Sequence, residues 1–461
     1  MRKSVAKLLL PVVFAIAAVA TTAWAAHADG REDMSIMAQT PPMGWNSWDA
    51  WGETINEAQF RDTVTWFHNH LQPYGWEYVV IDEGWFARHP ENPAGHQDYD
   101  LGRNGRYRPA VDRFPSAAKG RGFAPLAGWV HFLGLKFGIH IIRGIPRQAV
   151  GENLPIAHSH FHAAEAADTS DICSWNSDTY GVRDNRAGQA YYDSLFRLYA
   201  SWGVDFVKVD CISNPWHGAE IAMIHRAIQR SGRAIVLSLS PGPTPLADAA
   251  AAAANAEMWR ISDDMWDLWS RPAGAPRFPQ VLRNQFPLVA AWQPWAAAGH
   301  WPDADMLPFG YLGPHPGWGQ PRQTRLTDDE VRTMMTLWAM ARSPLFIGAN
   351  LLRMDAFTEN TLTNPEVISV DQFSQNNHPV VQTANTVVWM ADAPEHQGNY
   401  IALFNLSDQP QTVTATWQQL GIVYGKCPVR DLWQRRELGY NTQVSAPLAP
   451  HASALFQAQH P

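Results

Sequence analysis

Val204-Asp205-Phe206-Val207-Lys208-Val209-Asp210-Cys211 reads as a buried β-strand that ends in a lysine and a carboxylate. Alternate side chains of a strand share a face, so Phe206, Lys208 and Asp210 point one way while Val207, Val209 and Cys211 point the other. An ammonium beside a carboxylate favours the ionised acid, and a charged pair on an otherwise apolar strand is costly unless compensated. Two readings stay open from this stretch alone: a pair put to use, or a solvated strand terminus with an incidental charge.

Seven further extended runs surround this one at 205–211. They lie at 43–48, 78–85, 137–143, 234–240, 258–264, 300–306 and 345–351, and helical patterns separate them. The runs at 43–48 and 300–306 are weak strands on propensity alone. Asn56 followed by Gln59, and Thr327 followed by Glu330, look like capping boxes that open helices at 56–70 and 331–341. The alanine patch 249–254 also reads as a helix. Eight strand-helix units over roughly 340 residues predict a (β/α)8 TIM barrel with long loops, whose working residues sit at the C-terminal strand ends. A doubly wound open sheet is the competitor, but no glycine-rich dinucleotide fingerprint follows the first strand.

From about residue 379 the pattern changes to short alternating runs at 380–390, 400–405, 412–417, 429–433 and 443–457, the last broken by prolines. This predicts a C-terminal antiparallel β-sandwich domain at 373–461, with the boundary in the polar stretch 371–378 and the barrel domain at 29–372. Ahead of the barrel, Arg2, Lys3 and Lys7 precede an apolar run at 8–20 and then Ala26-His27-Ala28. The arrangement predicts an export signal peptide at 1–28 and a secreted or periplasmic protein, the run being short for a membrane span.

The 461 residues are 46% hydrophobic and 17% charged, ample for a sizeable core. A net charge of -8 with scattered basic residues argues against a nucleic-acid partner, and no later stretch is long and apolar enough to cross a membrane. Nothing in the pattern speaks to oligomeric state. Three cysteines are too few for a disulfide framework; Cys173 and Cys211 can pair and leave Cys427 odd, or all three are free thiols.

The predicted strand ends are acidic. Asp82 and Glu83 close the second strand, Lys208 and Asp210 the fourth, Arg260 and Asp264 the sixth, and Asp303 and Asp305 the seventh. Paired carboxylates from different strands, with aromatics nearby, are what glycoside hydrolysis needs, one serving as nucleophile or base and the other as acid. Lys208 beside Asp210 supplies the depressed pKa that an ionised nucleophile requires. The run His158-Ser159-His160-Phe161-His162 has no cysteine or acidic partner at metal spacing, so a solvated loop is expected and no metal. Most of the 22 tryptophans must be core, but Trp45, Trp48 and Trp85 fall at predicted strand ends and are expected to line the site.

Five segments in order resemble the successive motifs of glycoside hydrolase family 27, the α-galactosidase or melibiase family. They are Pro41-Pro42-Met43-Gly44-Trp45-Asn46-Ser47-Trp48, the strand from Tyr78 to Trp85, Lys208-Val209-Asp210, Trp259-Arg260-Ile261-Ser262-Asp263-Asp264 and Asp303-Ala304-Asp305-Met306-Leu307. The resemblance implies a retaining mechanism through a covalent glycosyl-enzyme, with Asp210 as nucleophile and Asp264, not Asp263, as acid/base. It further implies that Asp82, Glu83, Lys208, Arg260 and Asp305 bind sugar hydroxyls, with Trp45, His140 and Ser240 at neighbouring substrate-binding positions. No metal or organic cofactor is implied, and the partner is an oligo- or polysaccharide.

The departures bear on the sugar. Glu83 replaces the family's usual second aspartate, His140 stands where a tyrosine is common, Ser238-Leu239-Ser240 replaces the usual acid and aromatic, and Cys211 directly follows Asp210. Both carboxylates remain, so the reaction is expected to survive while galactose is put at risk. The expected activity is hydrolysis of terminal α-D-galactosides. The alternatives are an α-glucoside of dextran, a β-L-arabinopyranoside, or a carbohydrate-binding protein without catalysis.

Overall fold

The computed structural model describes residues 37–91, 98–423 and 425–460. The predicted signal peptide lies outside the described residues.

All eight predicted barrel strands form: β1 (Met43–Asn46), β2 (Tyr78–Ile81), β3 (Lys136–Ile142), β4 (Phe206–Asp210), β5 (Val236–Leu239), β6 (Met258–Arg260), β7 (Trp301–Asp303) and β8 (Leu345–Ile347). They pair in parallel in the order β7-β6-β5-β4-β3-β2-β1-β8. The ring closes just beyond β7, where Leu307 N donates to Phe346 O at 2.7 Å and Gly348 N to Leu307 O at 3.2 Å. Tyr78, Val80, Phe206, Val236, Met258, Trp301 and Phe346 fill the barrel interior. Val79, Ile81, Val207, Val209, Leu237 and Leu239, of opposite parity, pack outward under the helices. The capping boxes at Asn56 and Thr327 are both made, opening the helices Glu57–His70 and Asp328–Ala341. The alanine patch is helical as well, at Ala249–Asn255.

The strands are shorter than the apolar runs that announce them. β2 stops at Ile81, β6 at Arg260 and β7 at Asp303. Asp82, Glu83, Asp264 and Asp305 therefore stand in the loops just past the strands, where a side chain need not alternate across a sheet.

The last barrel-side helix ends at Phe373, and an antiparallel domain begins at Gln375. A six-stranded sheet, β9 (Gln375–Gln382), β10 (Thr386–Asp392), β11 (Asn399–Asn405), β13 (Cys427–Asp431), β14 (Arg436–Asn441) and β16 (Ser453–Ala458), faces the pair β12 (Gln411–Thr416) and β15 (Gln443–Leu448). Ile401, Leu403 and Phe456 meet Val413, Ala415 and Val444 between the two sheets. The opposite face of the large sheet packs on the barrel, Phe404 meeting Phe286 edge-on at 5.1 Å.

One expectation for this domain is corrected, one break falls where it was read, and one strand was not anticipated. The run 380–390 is a hairpin of β9 and β10, because Thr383 N and Thr386 O close a turn inside it. The run 443–457 is likewise two strands, divided at Pro450, which cannot donate to a ladder. β14 was not expected at all: five of its six residues are exposed, so it carries no buried alternation to read.

Candidate active site

The parallel register sets the acidic strand ends side by side. His140 pairs with Lys208, Ile142 with Asp210, and Lys208 with Ser238. Asp303 pairs with Arg260. These residues crown one end of the barrel beneath a cavity of about 440 Å³ whose wall includes Glu83, Lys208, Asp210, Arg260, Asp264 and Asp305.

Asp210 is 8% exposed and its two oxygens differ. Oδ2 accepts from His140 Nε2 at 2.9 Å and lies 3.9 Å from Lys208 Nζ. Oδ1 has no hydrogen-bond partner within bonding geometry, while the Ser240 hydroxyl lies near enough to help lower the pKa of this carboxyl. Burial alone would raise the pKa of this carboxyl, but Lys208 and His140 outweigh burial and hold it well below the usual carboxylate range. Lys208 is in turn pinned by Asp82 Oδ2 at 3.0 Å. Burial opposes its charge, yet Asp210, Asp82 and Asp264 keep the ammonium protonated far above its ordinary pKa. His140 is fully buried; Asp82, Asp210 and Glu83 overcome burial and raise the imidazole above its ordinary pKa.

Asp264 is set differently. Its side chain is 39% exposed and touches Arg260 Nη2 at 3.3 Å. The same guanidinium binds Asp305 Oδ2 at 2.6 Å, and Asp305 also accepts from the backbone amides of Met265 at 2.5 Å and Met306 at 2.7 Å. Asp305 thereby fixes the loop that carries Asp264. Its φ of +86° is rare for a residue with a side chain, and Cys211, next to Asp210, has φ +61°. The site thus offers one buried, ionised carboxylate with a free oxygen and, on the wall of the same cavity, a carboxyl in contact with solvent.

Asn176 Nδ2 donates to Glu83 Oε1 at 2.8 Å, and burial pushes the Glu83 carboxyl up to about 7. Cys173 and Cys211 are disulfide-bonded, with Cα atoms 6.0 Å apart, while Cys427 is free and buried. The bridge ties the long third connection to the end of β4. Behind it, Arg143 donates to Cys211 O at 2.6 Å and pairs with Asp171 and Glu220, both at 2.6 Å.

Not every expected residue reaches the cavity. Trp45 and Trp85 are corrected: both are fully buried, donating from Nε1 to Ala349 O at 2.9 Å and to His140 O at 2.7 Å. Of the three strand-end tryptophans only Trp48 lines the wall. Asp82 stands one layer back, its oxygens taken by Asn46, Lys208 and the Glu83 amide. His140 is also one layer back, behind Asp210, and Ser240 is 1% exposed beneath the cavity floor. Wall residues that were not anticipated include Asp49, Glu53, Trp175, Asn176 and Trp318. The pairing of Cys173 with Cys211 is the one sequence signal that would have brought Trp175 and Asn176 to the site.

The His158 to His162 run stays a loop, His162 pairing with Glu165 at 3.8 Å. Among the described residues the one group within common reach of a cation is Asp171, His217 and Glu220, where Arg143 already bonds both carboxylates.

Residues 179–373 match the family model for α-galactosidase A, and 383–458 that for the α-galactosidase C-terminal β-sandwich domain. A family 27 β-L-arabinopyranosidase from Geobacillus stearothermophilus is 44% identical, with a TM-score of 0.86 over 92% of this chain and 97% of its own. An α-galactosidase from Oryza sativa subsp. japonica is 28% identical over 91% of this chain and 85% of its own length. One from Cyamopsis tetragonoloba is 27% identical over 95% and 90%.

Proposed function

The chain belongs to glycoside hydrolase family 27 and is a hydrolase of the α-galactosidase type, and from that premise we propose an exported retaining enzyme that removes terminal β-L-arabinopyranosyl residues. Asp210 Oδ1, the oxygen without a partner, attacks the anomeric carbon while Asp264 protonates the departing glycosidic oxygen. The glycosyl ester on Asp210 is then displaced by water, which gives its proton to Asp264, so the anomeric configuration is retained.

Glu83 carries the choice of sugar. β-L-arabinopyranose has the ring stereochemistry of α-D-galactopyranose and lacks only the hydroxymethyl group on C5. Typical family members place an aspartate where this chain has Glu83, and the added methylene brings its carboxyl into the space a hydroxymethyl needs. Asn176 holds that carboxyl in place at 2.8 Å. The 44% identity to the Geobacillus stearothermophilus arabinopyranosidase supports the same choice. The curated α-galactosidases, at 27–28% identity over nearly the whole chain, favour a second reading in which α-D-galactosides are the substrate.

Export rests on the leader pattern at 1–28, and no helix among the described residues is long and apolar enough to cross a membrane. The deciding measurement compares kcat/KM on nitrophenyl β-L-arabinopyranoside, α-D-galactoside and α-D-glucoside, with NMR of the first-formed anomer. A higher kcat/KM on the galactoside would reverse the order of the two readings. A first product of opposite anomeric configuration would remove the double displacement.

A further inference from the structure

Asp49 is a buried acid for which neither the motifs nor the pairing of carboxylates gives a role. It lies in the short helix Trp48–Trp51, is 1% exposed, and forms part of the cavity wall. Its Oδ2 is sealed from solvent and has no hydrogen-bond partner among the described residues. A buried carboxylate left unpaired costs several kcal/mol in general, and folds normally supply a partner or exclude the group.

The fold instead makes room for it. A Cβ on Gly348, just past β8, would fall 2.0 Å from Asp49 Oδ2 and 2.3 Å from its Cγ. The glycine is thus the surface on which the carboxyl rests. The charged groups that face it are Asp305, Asp264 and Asp82, which repel a charge there, and Lys208, which attracts one. Burial and the three acids prevail, so the group is held well above the ordinary carboxyl pKa. A neutral carboxyl is a hydrogen-bond donor as well as an acceptor. Of the other charged groups on the wall, Lys208 pairs with Asp82, Arg260 pairs with Asp305, and Glu83 accepts from the Asn176 amide.

We propose that Asp49 is a sugar-binding residue whose carboxyl forms a hydrogen bond with a hydroxyl of the bound glycone. The assignment rests on the glycosidase reading of the same cavity. It accounts for a buried polar side chain that lacks a protein partner yet lies on the cavity wall beside Lys208 and Asp305: its partner arrives with the substrate. It also accounts for the glycine at 348, since any side chain there would push the carboxyl off its seat.

The test is calorimetric titration of the full chain with free L-arabinose and D-galactose, alongside kcat and KM, on Asp49→Ala, Asp49→Asn and Gly348→Ala. Asp49→Ala is expected to weaken sugar binding and raise KM about tenfold, the scale of one neutral hydrogen bond, with a smaller effect on kcat. Its Tm should hold or rise, because a group without a protein partner stabilises nothing when the site is empty. Asp49→Asn keeps an N–H donor and should recover most of the lost binding. Gly348→Ala, which displaces the carboxyl without removing it, should weaken binding as Asp49→Ala does. Wild-type affinity in Asp49→Ala would overturn the assignment, as would equal losses of Tm and binding in both Asp49 variants. If the wild-type chain binds neither sugar, the glycosidase reading fails first and the role of Asp49 falls with it.

Discussion

Lys208 Nζ stands 3.0 Å from Asp82 Oδ2 and the two side chains are almost entirely buried, so the ammonium cannot swing away. Pinned there, it remains 3.9 Å from Asp210 and acts on that carboxylate through charge more than through a direct bond. Asp82 thereby contributes to the site by fixing the cation.

Removing the ammonium tests this chain of dependence. With Lys208→Met, Asp210 keeps His140 but loses the largest favourable charge, and its pKa rises from its depressed position. The nucleophile must be ionised, so the acid limb of the kcat/KM profile is expected to move to higher pH by a unit or more. The plateau should fall at least about a hundredfold, as for loss of a preorganised charge. An unmoved acid limb would separate Lys208 from Asp210.

Asp210→Asn and Asp264→Asn should fail in different ways. The first removes the attacking oxygen and is expected to lose essentially all turnover. The second leaves the nucleophile, so nitrophenyl glycosides, whose leaving group needs little protonation, should still form the glycosyl-enzyme. An initial burst of nitrophenol followed by slow release is expected for Asp264→Asn. Full steady-state activity in either variant would end the double-displacement assignment. Thermal unfolding should be little changed in both, which separates lost chemistry from lost fold.

The fold was legible because a parallel barrel buries its strands on two faces, and runs such as 205–211 and 345–351 show it. Asp210 was legible because charge at the end of an apolar strand needs compensation and Lys208 lies at the right parity to give it, whereas Asp264, in the loop past β6, was reached through the motif Trp259 to Asp264. What stayed hidden depends on long-range packing. Nothing local distinguishes Trp45, which the core takes, from Trp48, which the cavity takes; the difference is a bond to Ala349, some three hundred positions away. His140 reads as a strand-end ligand, and only the pairing of β3 with β4 shows that it backs Asp210. Asp49 follows Trp48 in a single helical turn and resembles any acid placed near a helix N-terminus.

The Cys173–Cys211 bridge should influence both stability and sugar binding. It closes a loop across 38 positions, for which chain entropy suggests about 4 kcal/mol. Cys173→Ser is expected to lower Tm under oxidising conditions, and reduction of the wild type to reproduce the loss. Trp175 and Asn176 follow the bridge within three residues and line the cavity, so KM should rise more than kcat falls. Equal kinetics in bridged and unbridged protein would confine the bond to a structural role.

Glu83 makes stability depend on pH in a direction opposite to Asp210. Its folded pKa is raised from 4.5 to about 7, so between those values the folded chain holds a proton that the unfolded chain has released. Stability is therefore lost as pH rises through this window, by up to about 3 kcal/mol from this group. Glu53, also pushed up to about 7, adds in the same direction. Glu83→Gln removes the titration, and the fall in unfolding free energy between pH 5 and pH 8 is expected to be smaller than in the wild type. An identical pH dependence in the variant would place the ionisation elsewhere.

Shortening Glu83 to Asp isolates the sugar choice from the chemistry. The variant withdraws the carboxyl by one methylene and opens the space that a C5 hydroxymethyl would occupy, while Asp210, Lys208 and Asp264 keep their places. The Asn176 bond to Glu83, 2.8 Å in the wild type, must lengthen or be remade, so some loss on arabinopyranosides is expected. The ratio of kcat/KM for α-D-galactoside over β-L-arabinopyranoside should rise by about 10- to 200-fold, the usual worth of one small group in a shaped pocket. The gain on galactoside should appear mainly as a lower KM, because relief of crowding acts on the bound sugar before any bond breaks. A ratio that does not move would mean that the hydroxymethyl is received away from Glu83, and the α-galactosidase reading would then stand on equal terms.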